Sequence, residues 1–147
     1  MNLESNVRRM AGTRPFDLLP REAVQLIAFS CDKRTLKAGE SLFDAGEPAD
    51  AAYFVLSGEL TLAIDGGERR VEPGALVGET ALMADVTRRA SAKATDDCEV
   101  LRIPGAVFRR VLSEFPRAAV KVRAAAVARA REFVNQLDEK RARLFES

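Results

Sequence analysis

Histidine is absent from all 147 residues. That removes Ser-His-Asp and Cys-His nucleophilic chemistry, histidine-ligated haem and most catalytic zinc sites. Only two cysteines are present, Cys31 and Cys98, too few for the four thiolates of a typical iron–sulfur cluster. The opening residues, MNLESNVRRMAG, lack the apolar core of an export signal. Two reduced, buried thiols in a cytoplasmic protein are therefore expected rather than a disulfide. No run approaches 18 consecutive apolar residues, so no membrane span is expected. Neither sign of charge dominates: 23 Lys and Arg against 22 Asp and Glu leave a formal net charge of +1. That offers no global attraction to nucleic acid or a lipid surface. What is present, 47% apolar and 31% charged residues, suits one soluble globular domain with its own core.

The chain divides by period. Residues 1–30 read as short helices; PREAVQLIAFS puts a proline at a helix start, with Val24, Leu26, Ile27 and Phe29 as its apolar residues. Over residues 31–104 apolar runs of four to seven residues alternate with Gly, Pro and Asp turns. Examples are AAYFVLSGELTLAI, with Gly58 at its middle, DGGERRVEPGALVG, with turns at 65–67 and 73–74, and CEVLRIP. This spacing predicts a closed or double-sheet antiparallel β structure. Over residues 105–147 the helical period returns. GAVFRRVLSEF places Val107, Val111 and Leu112 on one face beside Phe108 and Phe115. After Pro116 a long helix is expected over 117–145. In it Val120, Val127, Val134 and Arg141 recur every seven residues, and Ala130, Leu137 and Leu144 three residues after the last three. Such an a/d seam reads as a dimerising helix, residues 120–144, or as a helix packed on its own domain. The fold class is α+β: an antiparallel β-roll or jelly roll of about eight strands, N-terminal helices and two C-terminal helices, the last one long.

The informative stretch is GALVGETALMADVTRRASAKA, residues 74–94. Gly78 and Glu79 open it, small and apolar residues follow, and Arg88 and Arg89 close it. A salt bridge bracketing a loop is one reading of Glu79 and Arg88, but it leaves the small residues between them unexplained. The stretch resembles the phosphate-binding cassette, here about residues 74–92, of cyclic nucleotide-binding domains. That family includes the catabolite-activator and nitrogen-fixation-regulator group, cAMP-dependent kinase regulatory subunits and nucleotide-gated channels. The family pattern is Gly-Glu, an apolar helical turn, then Arg, a small residue, Ala and Ser/Thr. AGESLFDAGEPADAAYFVLSGELTL matches the family's early strands as well.

The resemblance implies a binding module, not an enzyme, that takes a cyclic nucleotide without a metal. cAMP is the preferred ligand, with cGMP possible. Arg88 becomes the phosphate ligand, since a planar guanidinium forms two charge-assisted hydrogen bonds. Glu79 becomes the acceptor for the ribose 2′-hydroxyl. The backbone near Gly78, Thr80, Ala81 and Ala90 would cradle the sugar-phosphate, and Leu82 and Val71 would line the apolar wall. Arg89 departs from the family, which carries Ser, Thr or Ala there; a one-residue slip would make it the phosphate ligand, and its lack of a hydroxyl speaks against cGMP selectivity. Gapless carry-over puts Arg129 and Phe133 over the base as a lid, with plain packing the alternative for Phe133. The sequence ends with the long helix, so either a free-standing sensor without a DNA-binding domain or a piece of a longer protein is expected, signalling to an unknown effector protein or through a homodimer. A β-roll scaffold that has lost nucleotide binding, or binds another small effector, is the alternative function. RRAS also resembles a basic-directed kinase site at Ser91.

Overall fold

The computed structural model describes residues 3–64 and 66–146, and side chains as far as residue 141. The expected turn at 65–67 and the seam position Leu144 thus fall partly outside the described residues. From the N-terminus, α1 (Leu3–Met10), a 3-10 turn (Phe16–Leu18) and α2 (Arg21–Phe29) precede the strands. These are β1 (Asp32–Leu36), β2 (Ser41–Phe43), β3 (Pro48–Ala49), β4 (Ala51–Ser57), β5 (Leu60–Ile64), β6 (Gly67–Val71) and β7 (Leu76–Val77). The short α3 (Thr80–Met83) interrupts, then β8 (Val86–Thr87), β9 (Ser91–Ala94) and β10 (Cys98–Pro104) lead to α4 (Gly105–Ser113) and α5 (Pro116–Glu146). The described residues thus hold ten strands where about eight were expected; the extra ones are two-residue pairings.

The strands form an antiparallel roll. One sheet has the order β1-β10-β4-β7, the second β2-β9-β5-β6, and β3 pairs with β8 at the side. One apolar cluster lies between the two large sheets: Leu36, Tyr53, Val55, Val77, Cys98 and Val100 from the first meet Phe43, Leu60, Leu62, Val71, Ala92 and Ala94 from the second. A second cluster covers the other face of the first sheet, where Ala52, Phe54, Leu56, Leu101 and Ile103 pack under α1, α2, α4 and the start of α5. β4 is therefore buried on both faces, which is why AAYFVL is a continuous apolar run rather than an alternating one. Phe16 meets Phe108 edge to face at 5.9 Å, tying the N-terminal segment to α4. Gly58 turns β4 into β5 at φ +80°, where a Cβ would lie 2.3 Å from the Asp97 carbonyl oxygen. Glycine is required there on both counts.

Two helices leave apolar residues exposed. In α2 the buried positions are Ala23, Val24, Ile27 and Ala28, while Leu26 and Phe29 are 44% and 80% exposed. Helical rotation explains it: Leu26 and Phe29 each lie two residues, about 200°, beyond a buried partner. In α5 only the first turns enter the apolar core, through Ala118, Ala119 and Val122. Every side chain from 126 to 141 is exposed, so some 16 residues, about 24 Å of helix, run without cover from this chain. Both cysteines are free thiols. Burial, with Asp32 adding to it, pushes the Cys31 thiol up to about 12, and burial also raises that of Cys98.

Candidate cyclic nucleotide site

Arg88 is the one charged side chain buried among the described residues, at 8% exposure. Its position is set by the backbone on either side. The Arg88 N–H donates to the Glu47 carbonyl and the Gly46 N–H donates to the Arg88 carbonyl, both at 2.8 Å. The side chain then enters the roll, where Nη2 donates to the Ala51 carbonyl at 2.7 Å. The guanidinium lies 4.1 Å from the Phe43 ring centre and 5.6 Å from that of Tyr53. Such contacts with ring faces favour a cation. Arg88 has no ion-pair partner among the described residues, and its buried Nε has no hydrogen-bond partner. Desolvation lowers its pKa from the usual arginine value, against the weaker influence of Tyr53, Asp50 and Glu47. A buried, partly unpaired cation is energetically poised for an anion.

Gly78 stands against this guanidinium. It has φ +73°, and a Cβ there would lie 2.4 Å from Arg88 Nη1. The positive φ turns β7 into α3 and the missing side chain admits the arginine. Glu79 follows as the N-cap residue of α3. Its carboxylate forms an ion pair with Arg129 of α5, so the long helix reaches the cassette. Thr80 is exposed, Ala81 fully buried and Ala90 half-buried. The Ala81 N–H is already used, donating to the Gly78 carbonyl at 3.1 Å.

The residues expected on one apolar wall separate. Val71 belongs to the cluster inside the roll, whereas Leu82 packs in the helical cluster. Arg89 is exposed, next to the buried Arg88. Phe133 is 54% exposed, one helical turn beyond Arg129. Ser91 lies on β9 with its hydroxyl accepting from the Ala45 N–H at 2.9 Å. Sequence reasoning missed Phe43, Tyr53 and Ala51; Phe43 and Tyr53 read there as ordinary strand residues. Two surface grooves, of about 580 Å³ between α1 and α2 and about 640 Å³ beside the α4–α5 joint, are lined by neither Glu79 nor Arg88.

The pattern of the cyclic nucleotide-binding domain matches residues 33–115, more than half of the chain. The chain belongs to this family. A Brucella abortus cyclic nucleotide-binding-like protein of known structure is 38% identical over 74% of this chain and 98% of its own, with a TM-score of 0.66. The regulatory domain of Toxoplasma gondii PKA, solved with cAMP, is 25% identical over 74% of this chain and 44% of its own, with a TM-score of 0.68. The lysophospholipase nte1 of Aspergillus terreus is 30% identical over 81% of this chain, which spans only 8% of that protein's length. Among the described residues no helix is long and apolar enough to cross a membrane.

In this cyclic nucleotide-binding domain the cassette is joined to the C-terminal helices by a second arginine. Arg109 of α4 donates through Nη1 to the Ala81 and Leu82 carbonyls at 3.4 and 3.3 Å. It also lies 3.4 Å from Asp85. The end of α3 is thus held by a cation, which suits the negative end of a helix. Gly105, the first residue of α4, makes the close approach possible: a Cβ there would lie 2.2 Å from the Ala81 carbonyl oxygen. Gly105→Ala must push backbone away from backbone. The expected result is a loss of about 1–3 kcal/mol in urea unfolding; an unchanged midpoint and slope would show that α3 and α4 separate freely.

Proposed function

We propose that this domain binds a purine cyclic nucleotide through Arg88 and Glu79 and reports its presence through α5. The observation that carries the reading is Arg88: an enclosed guanidinium with an unsatisfied Nε, set against a glycine whose missing side chain admits it. A single cyclic phosphate supplies the missing charge and acceptors. Glu79 accepts from the ribose 2′-hydroxyl. Its ion pair with Arg129 supports the rest of the proposal, because any group that engages the Glu79 carboxylate also alters how α5 is held. Arg109 and Gly105 extend the same linkage to α4. cAMP is the form that position 89 favours, since Arg89 offers no hydroxyl, and the cAMP bound by the Toxoplasma relative supports it; cGMP fits the same phosphate and ribose contacts.

The exposed Val127, Val134 and Leu137 of α5 support a homodimer through that helix, with an effector protein downstream. Two free thiols support a reducing, cytoplasmic setting. Isothermal titration with cAMP and cGMP, after unfolding and refolding to strip carried-over ligand, tests the site. Micromolar or tighter binding is expected. A folded protein that binds neither would leave Arg88 and Glu79 without a ligand and turn attention to a scaffold role.

A further inference from the structure

The groove of about 580 Å³ between α1 and α2 has an apolar floor, made by Leu3 and Val7 of the first helix and Leu26 and Phe29 of the second. Phe29, at 80%, is the most exposed large apolar side chain among the described residues. Glu22, Leu26 and Phe29 follow an i, i+4, i+7 spacing, so they form one stripe along α2. The opposite face of that helix, Ala23, Val24 and Ile27, shares the helical cluster with Phe108, Val111 and Leu112 of α4. The groove therefore stands on the same helical layer that Gly105 and Arg109 join to the cassette. Its charged rim is Glu4, Arg21 and Glu22. Glu4 and Arg21 lie 4.0 Å apart with both side chains about two-thirds exposed, a pairing that is worth little in water. Glu22 has no hydrogen-bond or ion-pair partner among the described residues. The rim thus carries two carboxylates to one guanidinium.

We propose that this groove docks an amphipathic helix of the downstream effector protein, apolar on one face and basic along its edges. The effector itself rests on the function proposed above; the groove does not involve Arg88 or Glu79. With 8 and 9 residues, α1 and α2 form a trough about 12–14 Å long, room for two to three turns of a third helix. Phe29 is its aromatic anchor, and Lys or Arg on the incoming helix would meet Glu22 and the loosely held Glu4. Two other occupants fit less well. The exposed parts of Leu3, Leu26 and Phe29 amount to roughly 250 Å², well short of the ~800 Å² that each partner covers in a stable contact between folded proteins. A two-fold pairing of α2 centred between Gln25 and Leu26 would also set each Glu22 against Phe29 of the second copy, leaving a carboxylate desolvated against a ring. An anionic lipid surface is repelled by the same carboxylates.

The probe is a synthetic helical peptide about three turns long, with Leu at i, i+4 and i+7 and Lys elsewhere, beside a twin carrying Glu in place of Lys. Each is titrated into the isotope-labelled full chain, with and without cAMP, and the backbone amide resonances are followed. The Lys peptide is expected to bind more tightly than its twin and to shift the amides of α1 and α2. Phe29→Ala should weaken it at least about tenfold; the side chain is 80% exposed, so the fold should be kept. Glu22→Lys should reverse the preference between the two peptides. No binding of the Lys peptide, shifts centred on α5 instead, or an affinity indifferent to Phe29→Ala overturns the proposal. So does a change in the sedimentation of the free chain on Phe29→Ala, which would give the groove to a second copy. A chain that ignores cAMP but still takes the Lys peptide through Phe29 would overturn the nucleotide reading and leave this docking face standing.

Discussion

Arg88→Met is expected to melt within a few degrees of the wild type and to lose its response to cyclic nucleotide. The two halves of that result have separate causes. In the folded chain the guanidinium is almost fully enclosed, its Nε is unpaired and burial disfavours its charge. Replacing such a group by an apolar one of similar reach removes a desolvation penalty. It also removes the bond to the Ala51 carbonyl, worth about 1.5–3 kcal/mol with a charged donor. Methionine keeps the contact with the Phe43 ring, so the terms largely offset. Ligand binding has no such compensation. A phosphate left without its cation in a water-poor site loses about 2–5 kcal/mol, roughly thirtyfold to several thousandfold in Kd. At a nucleotide concentration a hundred times the wild-type Kd, ligand adds about 2.7 kcal/mol to stability, and most of that should vanish in Arg88→Met. Thermal melts with and without cAMP or cGMP read both halves at once. Arg89→Ala is the control: its side chain is exposed, so its melt and its ligand shift should stay near wild type. Loss of binding in Arg89→Ala with retention in Arg88→Met would transfer the phosphate role to Arg89.

The cassette is legible in the sequence because its constraints are local. Gly78 serves a positive φ and a close approach at one point, and a residue type that no other can replace leaves a mark in a single chain. The roll is legible from short apolar runs punctuated by turn residues, as where Gly58 divides AAYFVLSGELTLAI into two strands. The setting of Arg88 is another matter. Phe43 and Tyr53 come from β2 and β4, and nothing in their local pattern says which cation they will meet. The resemblance puts Leu82 and Val71 on one wall, but a turn as short as α3 sends the Leu82 side chain into the helical cluster instead.

The second large effect is expected on α5. We expect the wild-type chain to dimerise through this helix and Val127→Asp with Val134→Asp to be monomeric. Both valines are about half exposed, at 51% and 52%, in a part of the helix tied to the rest of the chain through the Arg129–Glu79 ion pair. Val at successive a positions with Leu137 at d suits a two-stranded parallel pairing. Covering the exposed half of each valine contributes about 1 kcal/mol. With four valines per dimer, and like charges facing each other in the variant, the dimer should weaken at least about a thousandfold. The melt of the isolated domain should move by no more than about 0.5 kcal/mol, since these side chains make no contact within it. Sedimentation across a range of concentrations separates the outcomes; a variant that still dimerised would move the interface elsewhere, with the exposed Leu26 and Phe29 of α2 as the next surface to probe. The position of Arg129 gives the seam its meaning. It lies between Val127 and Val134, so the turns of α5 that would pair two chains also carry the cation that holds Glu79. A ligand on Glu79 and a partner on the seam therefore act on the same two turns of helix, and each is expected to change the affinity for the other by the same factor.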